Sequence, residues 1–104
     1  MTFEPRTNPV TGETFLQYVD WKPTGVPPHE MHGRMGDPLR EFLVFSDRVE
    51  IQESWSITSG HAELYEDGAR TVIARADAEA EITRRFGAEL AATIARAFVD
   101  LGNR

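Results

Sequence analysis

The sequence contains no cysteine, which excludes disulfide bonds, thiolate nucleophiles and zinc or iron–sulfur sites built on cysteine. It also lacks a long apolar run, because the longest uninterrupted stretch is Phe42 to Phe45. A helix that crosses a bilayer needs about 20 predominantly apolar residues, so no membrane span is predicted. The amino-terminal residues show no basic start followed by an apolar stretch. We therefore predict no secretory signal and expect a cytoplasmic location.

Motifs that bind nucleotides or activate a serine are missing as well. The eight glycines form neither GxGxxG nor GxxxxGK[ST], and no serine stands in a GxSxG motif. Ser59-Gly60-His61 places a serine near a histidine, but this spacing is typical of a turn and does not make a catalytic triad. The chain is predicted to be one globular domain, residues 1–104, without a cofactor, and the absence of a catalytic set favours a protein that is not an enzyme.

Charge is distributed unevenly along the chain, whose net charge is −6. Residues 41–68 hold seven acids and one base, Arg48, whereas the segments on either side are nearly balanced. A negative field repels phosphate backbones and attracts basic surfaces, so we expect a protein partner with a basic surface and no direct nucleic-acid binding. These acids form either a solvated sheet face or a contact patch for that partner. The residues predicted for the acidic contact are Glu41, Glu50, Glu53, Glu63, Glu66 and Asp67.

The first 57 residues carry strand patterns separated by turn residues. Residues 14–21 are rich in β-branched and aromatic residues and predict an inner strand, and residues 3–7 predict an edge strand because they contain Pro5. Residues 48–57 alternate apolar and polar side chains, as a half-buried strand does. Residues 37–45 are compatible with a helix that starts at Asp37-Pro38 or with a buried strand. A turn at Ser46-Asp47 favours the strand, since it sets Val44 opposite Val49, Phe42 opposite Ile51 and Arg40 opposite Glu53.

Asp67-Gly68 is a strong signal for a type I′ turn between two short apolar runs. It predicts a hairpin in which Leu64 lies opposite Thr71 and Ala62 opposite Ile73. Residues 58–60 predict a separate turn before this hairpin.

The character of the sequence changes to helical from Asp77, which we predict to be the N-cap. Gly87 either bends this helix or splits it into two, and Gly102 with Asn103 ends it. The predicted fold is therefore α+β: an antiparallel sheet of four to five strands in hairpins, with a C-terminal helical segment packed on one face. The other face carries the acids of residues 41–68 or is covered by the long loop. The apolar stripe of the helical segment is Ile82, Phe86, Leu90, Ile94, Phe98 and Leu101.

The long Pro- and Gly-rich segment before residue 39 holds two of the three histidines. His29 and His32 are three residues apart between prolines and a glycine, so they do not form the helical HExxH site of zinc proteases. A soft metal such as copper remains a weak alternative at His29, His32 and Met35, with Glu30 or His61 completing the set. The alternative without a binding function is that the methionines fill gaps in the core and the histidines face solvent. The residues predicted for partner contacts in this loop are His29, Met31, His32 and Met35.

These observations favour a small acidic non-enzymatic protein-interaction domain of the inhibitor, adaptor or immunity type. A nucleic-acid-mimicking inhibitor encoded by a mobile element is one concrete form of this hypothesis. The alternative is a small-ligand or metal-binding domain that uses the 27–38 loop, or an aromatic cleft formed by Trp21, Phe45, Trp55 and Tyr65. A homodimer is a further expectation, because an unpaired edge strand can pair across a two-fold axis.

Overall fold

The computed structural model describes the backbone of residues 3–20, 39–59 and 62–104, and the side chains in those ranges except residues 20, 39, 55–59 and 62–67. Five strands form one antiparallel sheet in the order β1-β2-β3-β4-β5, and two helices follow. The predicted α+β fold is confirmed. The elements are β1 (Glu4–Thr7), β2 (Thr14–Asp20), β3 (Leu39–Val44), β4 (Arg48–Ser59), β5 (Ala62–Ala74), α1 (Arg75–Phe86) and α2 (Ala88–Gly102).

The turn between β1 and β2 is closed by Asn8, as the turn residues predict. Its backbone nitrogen donates to the carbonyl of Glu13 at 2.9 Å, and its side-chain oxygen accepts from the nitrogen of Val10 at 2.8 Å. Gly12 has a φ of 76°, a backbone conformation that residues other than glycine rarely adopt. Pro5 lies in the edge strand β1, and β2 lies inside the sheet, which confirms both predictions.

Residues 39–44 form strand β3, so the helical alternative for this segment is wrong. The register with β4 is the predicted one: Val44 pairs with Val49, Phe42 with Ile51 and Arg40 with Glu53. The compact apolar run is buried on both sides of the sheet, because Phe42 and Val44 are 0% exposed on one face and Leu43 is 7% exposed on the other. A helix would have placed these consecutive side chains around its circumference instead.

The predicted hairpin at Asp67-Gly68 is wrong, because β5 runs through these residues as one strand of 13 residues. Leu64 pairs with Ile57 of β4, and Thr71 pairs with Ile51. Two residues, Gly68 and Ala69, oppose the single residue Glu53 at a shift of register between Gln52 and Ser54. This is a β-bulge, which a glycine inside a strand often marks. The 12 residues of β4 supply partners along all of β5, and this pairing outweighs the local turn signal.

Helix α1 starts at Arg75, and Ala74 occupies its N-cap, so the prediction of Asp77 as N-cap is wrong. Asp77 lies in the first turn, where a carboxylate still interacts favourably with the positive end of the helix. Gly87 splits the helical segment with a φ of 105° and a ψ of 164°. This is one of the two predicted outcomes. Helix α2 ends at Gly102, with Asn103 as its C-cap, as predicted.

No residue separates the end of β5 from the start of α1, and Arg75 anchors this joint. Its backbone nitrogen donates to the carbonyl of Asp47 at 2.9 Å, and its guanidinium donates to the carbonyl of Ser46 at 3.1 Å. The guanidinium carbon also lies 4.9 Å from the centre of the Phe98 ring. The joint is therefore held against both the β3–β4 turn and helix α2.

The core lies between one face of the sheet and the two helices. Phe42 is at its centre, with the ring of Tyr18 at 6.2 Å and the ring of Phe86 at 5.5 Å in an edge-on contact. The predicted helical stripe packs here: Ile82, Ile94 and Phe98 are buried, and Phe86, Leu90 and Leu101 are partly buried against them. Within the described ranges, neither helix is long and apolar enough to cross a membrane.

Candidate functional site

The sheet surface opposite the helices, called the open face below, presents residues from all five strands. Strand pairing aligns these residues in three rows that cross the sheet. The first row contains Arg6, Phe15, Arg48 and Ala74, with Phe45, the residue after β3, between Phe15 and Arg48. The second row contains Glu4, Gln17, Leu43, Glu50 and Val72, and the third contains Val19, Glu41, Gln52 and Arg70.

A network of charged side chains occupies the centre of the open face. Glu50 is 7% exposed and accepts hydrogen bonds from Nε of Arg48 at 2.6 Å and from Nη2 of Arg70 at 2.5 Å. Arg48 also donates to Glu13 at 3.1 Å and to Asp47 at 2.8 Å. One arginine therefore joins the sheet to the β1–β2 turn and the β3–β4 turn. Such bonds between charged partners are among the stronger hydrogen bonds in proteins.

The network shifts the ionisation of its members. Burial of Glu50 favours the neutral carboxylic acid, but the hydrogen bonds from Arg48 and Arg70 together outweigh burial, and the pKa of Glu50 is lowered. Hydrogen bonds to Glu13 and Glu50 raise the pKa of the Arg48 guanidinium above its ordinary value. At neutral pH Glu50 and Arg48 are therefore both charged, and the Glu50 carboxylate already accepts hydrogen bonds from two arginines.

An apolar cluster lies beside the network. The rings of Phe15 and Phe45 are 5.0 Å apart, and the Arg48 guanidinium covers Phe45 at 3.9 Å from the ring centre. Two valines of the open face are exposed: Val19 is 43% exposed and Val72 is 60% exposed. Phe45, which the sequence suggested for an aromatic ligand cleft, is 6% exposed in this cluster.

The structure separates the acids predicted for partner contact. Glu41 and Glu50 lie on the open face, where Glu41 accepts a hydrogen bond from the amide of Gln17. Glu53 lies on the opposite face, with a carboxylate oxygen 3.8 Å from Nη2 of Arg85. Its Cα partner is Arg40, but the Arg40 guanidinium lies 5.4 Å from the centre of the Phe86 ring.

The other three predicted acids lie along the first half of β5. Glu63 pairs with Thr58, Glu66 pairs with Trp55, and Asp67 pairs with Ser54. Because β3 begins at Leu39, which pairs with Ser54, residues 55–59 and 62–66 pair only with each other in the described sheet. These ten residues are called the ribbon below. The ribbon extends beyond the point where β3 begins to pair with β4.

The loop residues His29, Met31, His32 and Met35 lie outside the described residues, as do the alternative metal ligands Glu30 and His61. The described remainder of the chain contains no group of three or more histidine or carboxylate side chains placed to hold a metal ion.

Sequence reasoning missed the three-part network of Arg48, Glu50 and Arg70. The signal was present, because Arg48 and Glu50 alternate on β4 and so share a face. Arg70 joined them only when β5 was paired with β4 in the observed register. The predicted hairpin at Asp67-Gly68 had placed the second half of β5 against its own first half.

Two layers, a five-stranded antiparallel sheet and a pair of helices, define the structural class as an α+β sandwich. No protein-family model matches the chain, and no match was found among curated proteins or among solved structures.

Proposed function

We propose that this chain is a small, non-enzymatic interaction domain that docks a basic protein surface through the ribbon of β4 and β5. The observation that carries the proposal is the charge and pairing of this element. The ribbon contains two acids, Glu63 and Glu66, is followed directly by a third, Asp67, and contains no lysine or arginine. Within the described sheet the ribbon residues pair only with each other, and an unpaired strand edge is a surface to which a partner can add backbone hydrogen bonds.

The rest of the charge distribution supports this location. The described side chains comprise eleven acids and nine arginines, and most of these arginines are bonded to a neighbouring carboxylate, ring or carbonyl. Six of the eleven described acids form ion pairs with arginines, so part of the negative charge of the folded body is balanced within the molecule. The negative field that remains at the ribbon attracts positively charged partners over a distance of about a Debye length, roughly 8 Å at physiological salt.

The composition of the ribbon also suits an interface. Besides its acids it contains Trp55, Ile57, Leu64 and Tyr65, and aromatic residues are enriched at protein–protein contacts. A two-stranded hairpin alone is marginally stable in water, and a third strand or a partner surface stabilises it. Docking is therefore expected to stabilise the ribbon.

The open face supports a structural role for its charged groups. General acid–base catalysis near neutral pH needs a group whose pKa lies close to the working pH. Glu50 is held far from that condition, because Arg48 and Arg70 lower its pKa. The partner classes that fit a small acidic binder of this kind are those of an inhibitor, an adaptor or an immunity protein, and we place the protein in the cytoplasm.

Charge reversal in the ribbon tests this proposal. The double variant Glu63→Lys/Glu66→Lys is expected to lose captured basic partners from a lysate of the source cell, measured by affinity capture and quantitative mass spectrometry. Loss follows because rim and interface charges set the electrostatic attraction between partners. Wild-type capture is expected to weaken as salt is raised.

The matched control is Glu79→Lys/Glu89→Lys, which changes the net charge equally on exposed helix positions. This control is expected to retain the wild-type set of partners. Equal loss in both double variants would show that only net charge matters, and unchanged capture by the ribbon variant would remove the ribbon from the contact. Reversal of Glu50 is not a useful probe, because it would break the buried network and unfold the sheet.

A further inference from the structure

A cleft of about 280 Å³ lies between the amino-terminal edge of the sheet and helix α2, remote from the ribbon. Its walls combine an apolar and a charged side. Phe3, Leu16 and Ala97 supply apolar surface, and Leu16 and Ala97 belong to the buried core. Thr93, Arg96, Asp100 and Arg104 complete the lining from the helix side.

The arginines of this cleft differ from the other described arginines. Seven of the nine described arginine side chains contact a carboxylate, an aromatic ring or a backbone carbonyl. Arg96 and Arg104 have no such contact with a described residue, although the chain carries more acids than bases. The two free guanidiniums are therefore both at the cleft, where they remain available to an anion.

Three charged residues line the cleft at the C-terminal end of α2. Arg96 and Asp100 are four residues apart on the helix, so their side chains are neighbours on its surface, and Arg104 lies two residues beyond the last helical residue, Gly102. Within the described structure Asp100 forms no ion pair with either arginine. The cleft lining thus carries two positive charges and one negative charge, which favours a ligand with one negative charge over a ligand with two.

The geometry points to a binding site for a small monocarboxylate with an apolar body. The carboxylate lies against Arg96 and Arg104, whose planar guanidiniums match its two oxygens. The apolar body fills the space against Phe3, Leu16 and Ala97. The volume is near the lower end of the range for small-molecule pockets, about 300 Å³, which fits a single ring or a short alkyl chain.

Titration of the isotope-labelled protein with phenylacetate tests this site by two-dimensional NMR. A ligand of this size binds in the millimolar range, so additions up to about 20 mM are needed. Saturable shifts are expected for the backbone amides of Leu16, Thr93 and Ala97. Phenylacetamide, which has the same ring and no charge, is expected to cause much smaller shifts.

Three variants separate recognition of the carboxylate from general surface effects. Arg96→Gln and Arg104→Gln are each expected to weaken phenylacetate about tenfold, because each removes a charge-assisted hydrogen bond. Asp100→Asn is expected to tighten binding, because it removes the like charge beside the ligand. Arg84→Gln is the matched control, since Arg84 bonds to Glu81 on α1 and does not line the cleft, and it is expected to bind as wild type.

The absence of shifts at about 20 mM phenylacetate would overturn the proposal, given the affinity expected for so small a ligand. Equal shifts with phenylacetamide would overturn carboxylate recognition, and so would equal affinity in Arg96→Gln and wild type. The NMR spectra of the variants report in the same experiment whether each one is folded.

Discussion

At the scale of single residues, Glu50 joins strands β4 and β5 on the open face. It is nearly buried, and two arginines from adjacent strands converge on it. Arg48 extends the network to Glu13, 35 residues away in the sequence. A surface ion pair contributes little to stability, but a carboxylate withdrawn from water depends on its partners.

Replacement of Glu50 by Gln is expected to lower the free energy of unfolding at pH 7 by about 1–3 kcal/mol, because both arginines lose a charged acceptor. The contribution of Glu50 depends on pH in a defined direction. Its pKa is lowered in the folded protein, so its stabilising effect is present above the unfolded value near 4.5 and is lost as pH falls through the folded value. Urea unfolding of wild type and variant from pH 7 down to about pH 2 measures this difference.

Glu79→Gln is the control for this experiment, because Glu79 is exposed on α1. It is expected to change stability by less than about 0.5 kcal/mol at any pH. If the difference in free energy of unfolding between wild type and Glu50→Gln stayed constant from neutral to acidic pH, this would contradict the lowered pKa of Glu50.

At the scale of elements, the split of the helical segment at Gly87 determines how the two helices cover the sheet. Its φ of 105° and ψ of 164° belong to a region of backbone space that is essentially reserved for glycine. A Cβ at this position would meet no atom within 4 Å, so the requirement for glycine comes from the backbone conformation alone. The split lets α1 pack over β4 and β5 while α2 packs over β2 and β3.

Gly87→Ala is therefore expected to cost about 1–3 kcal/mol of unfolding free energy, because alanine strains the backbone there. Gly102→Ala is the matched control, since Gly102 is the last residue of α2, has no positive φ and also has free space around its Cβ. It is expected to be neutral or stabilising by up to about 1 kcal/mol. Equal midpoints of urea unfolding for the two variants would show that alanine at position 87 does not strain the backbone.

Elements were the features that the sequence predicted best. The register of β3 and β4 followed from three cross-strand pairs and one short turn, and all three pairs are observed. The Asp67-Gly68 turn failed because its signal is local, whereas the β-bulge depends on the length of a strand that lies before it in the chain. The start of α1 was placed three residues late, since the structure begins the helix with no capping side chain.

At the scale of the whole molecule, sheet and helices share one core, so they are expected to unfold together. The candidate site was less predictable than the fold. Glu41, Glu50 and Glu53 were grouped as one acidic contact, although the predicted register already set Glu53 opposite Arg40 on the apolar face, and the structure confirms that Glu53 lies on the face opposite the other two. The cleft of Arg96 and Arg104 was not predicted, because its apolar wall comes from Phe3 and Leu16 at the other end of the chain.

Phe42→Ala tests the single core. Phe42 is fully buried and contacts rings of both the sheet and α1, so its truncation is expected to cost about 3–5 kcal/mol. That loss is a large part of the roughly 5–15 kcal/mol typical of a domain. Far-UV circular dichroism and NMR cross-peaks should lose their folded signals at the same, lower urea concentration.

Val99→Ala is the control for the core variant, because Val99 is 56% exposed on α2. Its effect is expected to stay within about 0.5 kcal/mol. Helical signal that survived after the sheet cross-peaks had disappeared would contradict a shared core.

The direct passage from β5 to α1 has a mechanical consequence. The ribbon and α1 belong to one continuous piece of chain, with no loop at Ala74 to absorb a twist. A partner that turns the ribbon about its axis would therefore load the joint, where Arg75 is tied to Ser46, Asp47 and Phe98. Because Arg75 is held at this joint, a twist of the ribbon is expected to change the conformation of the first turn of α1.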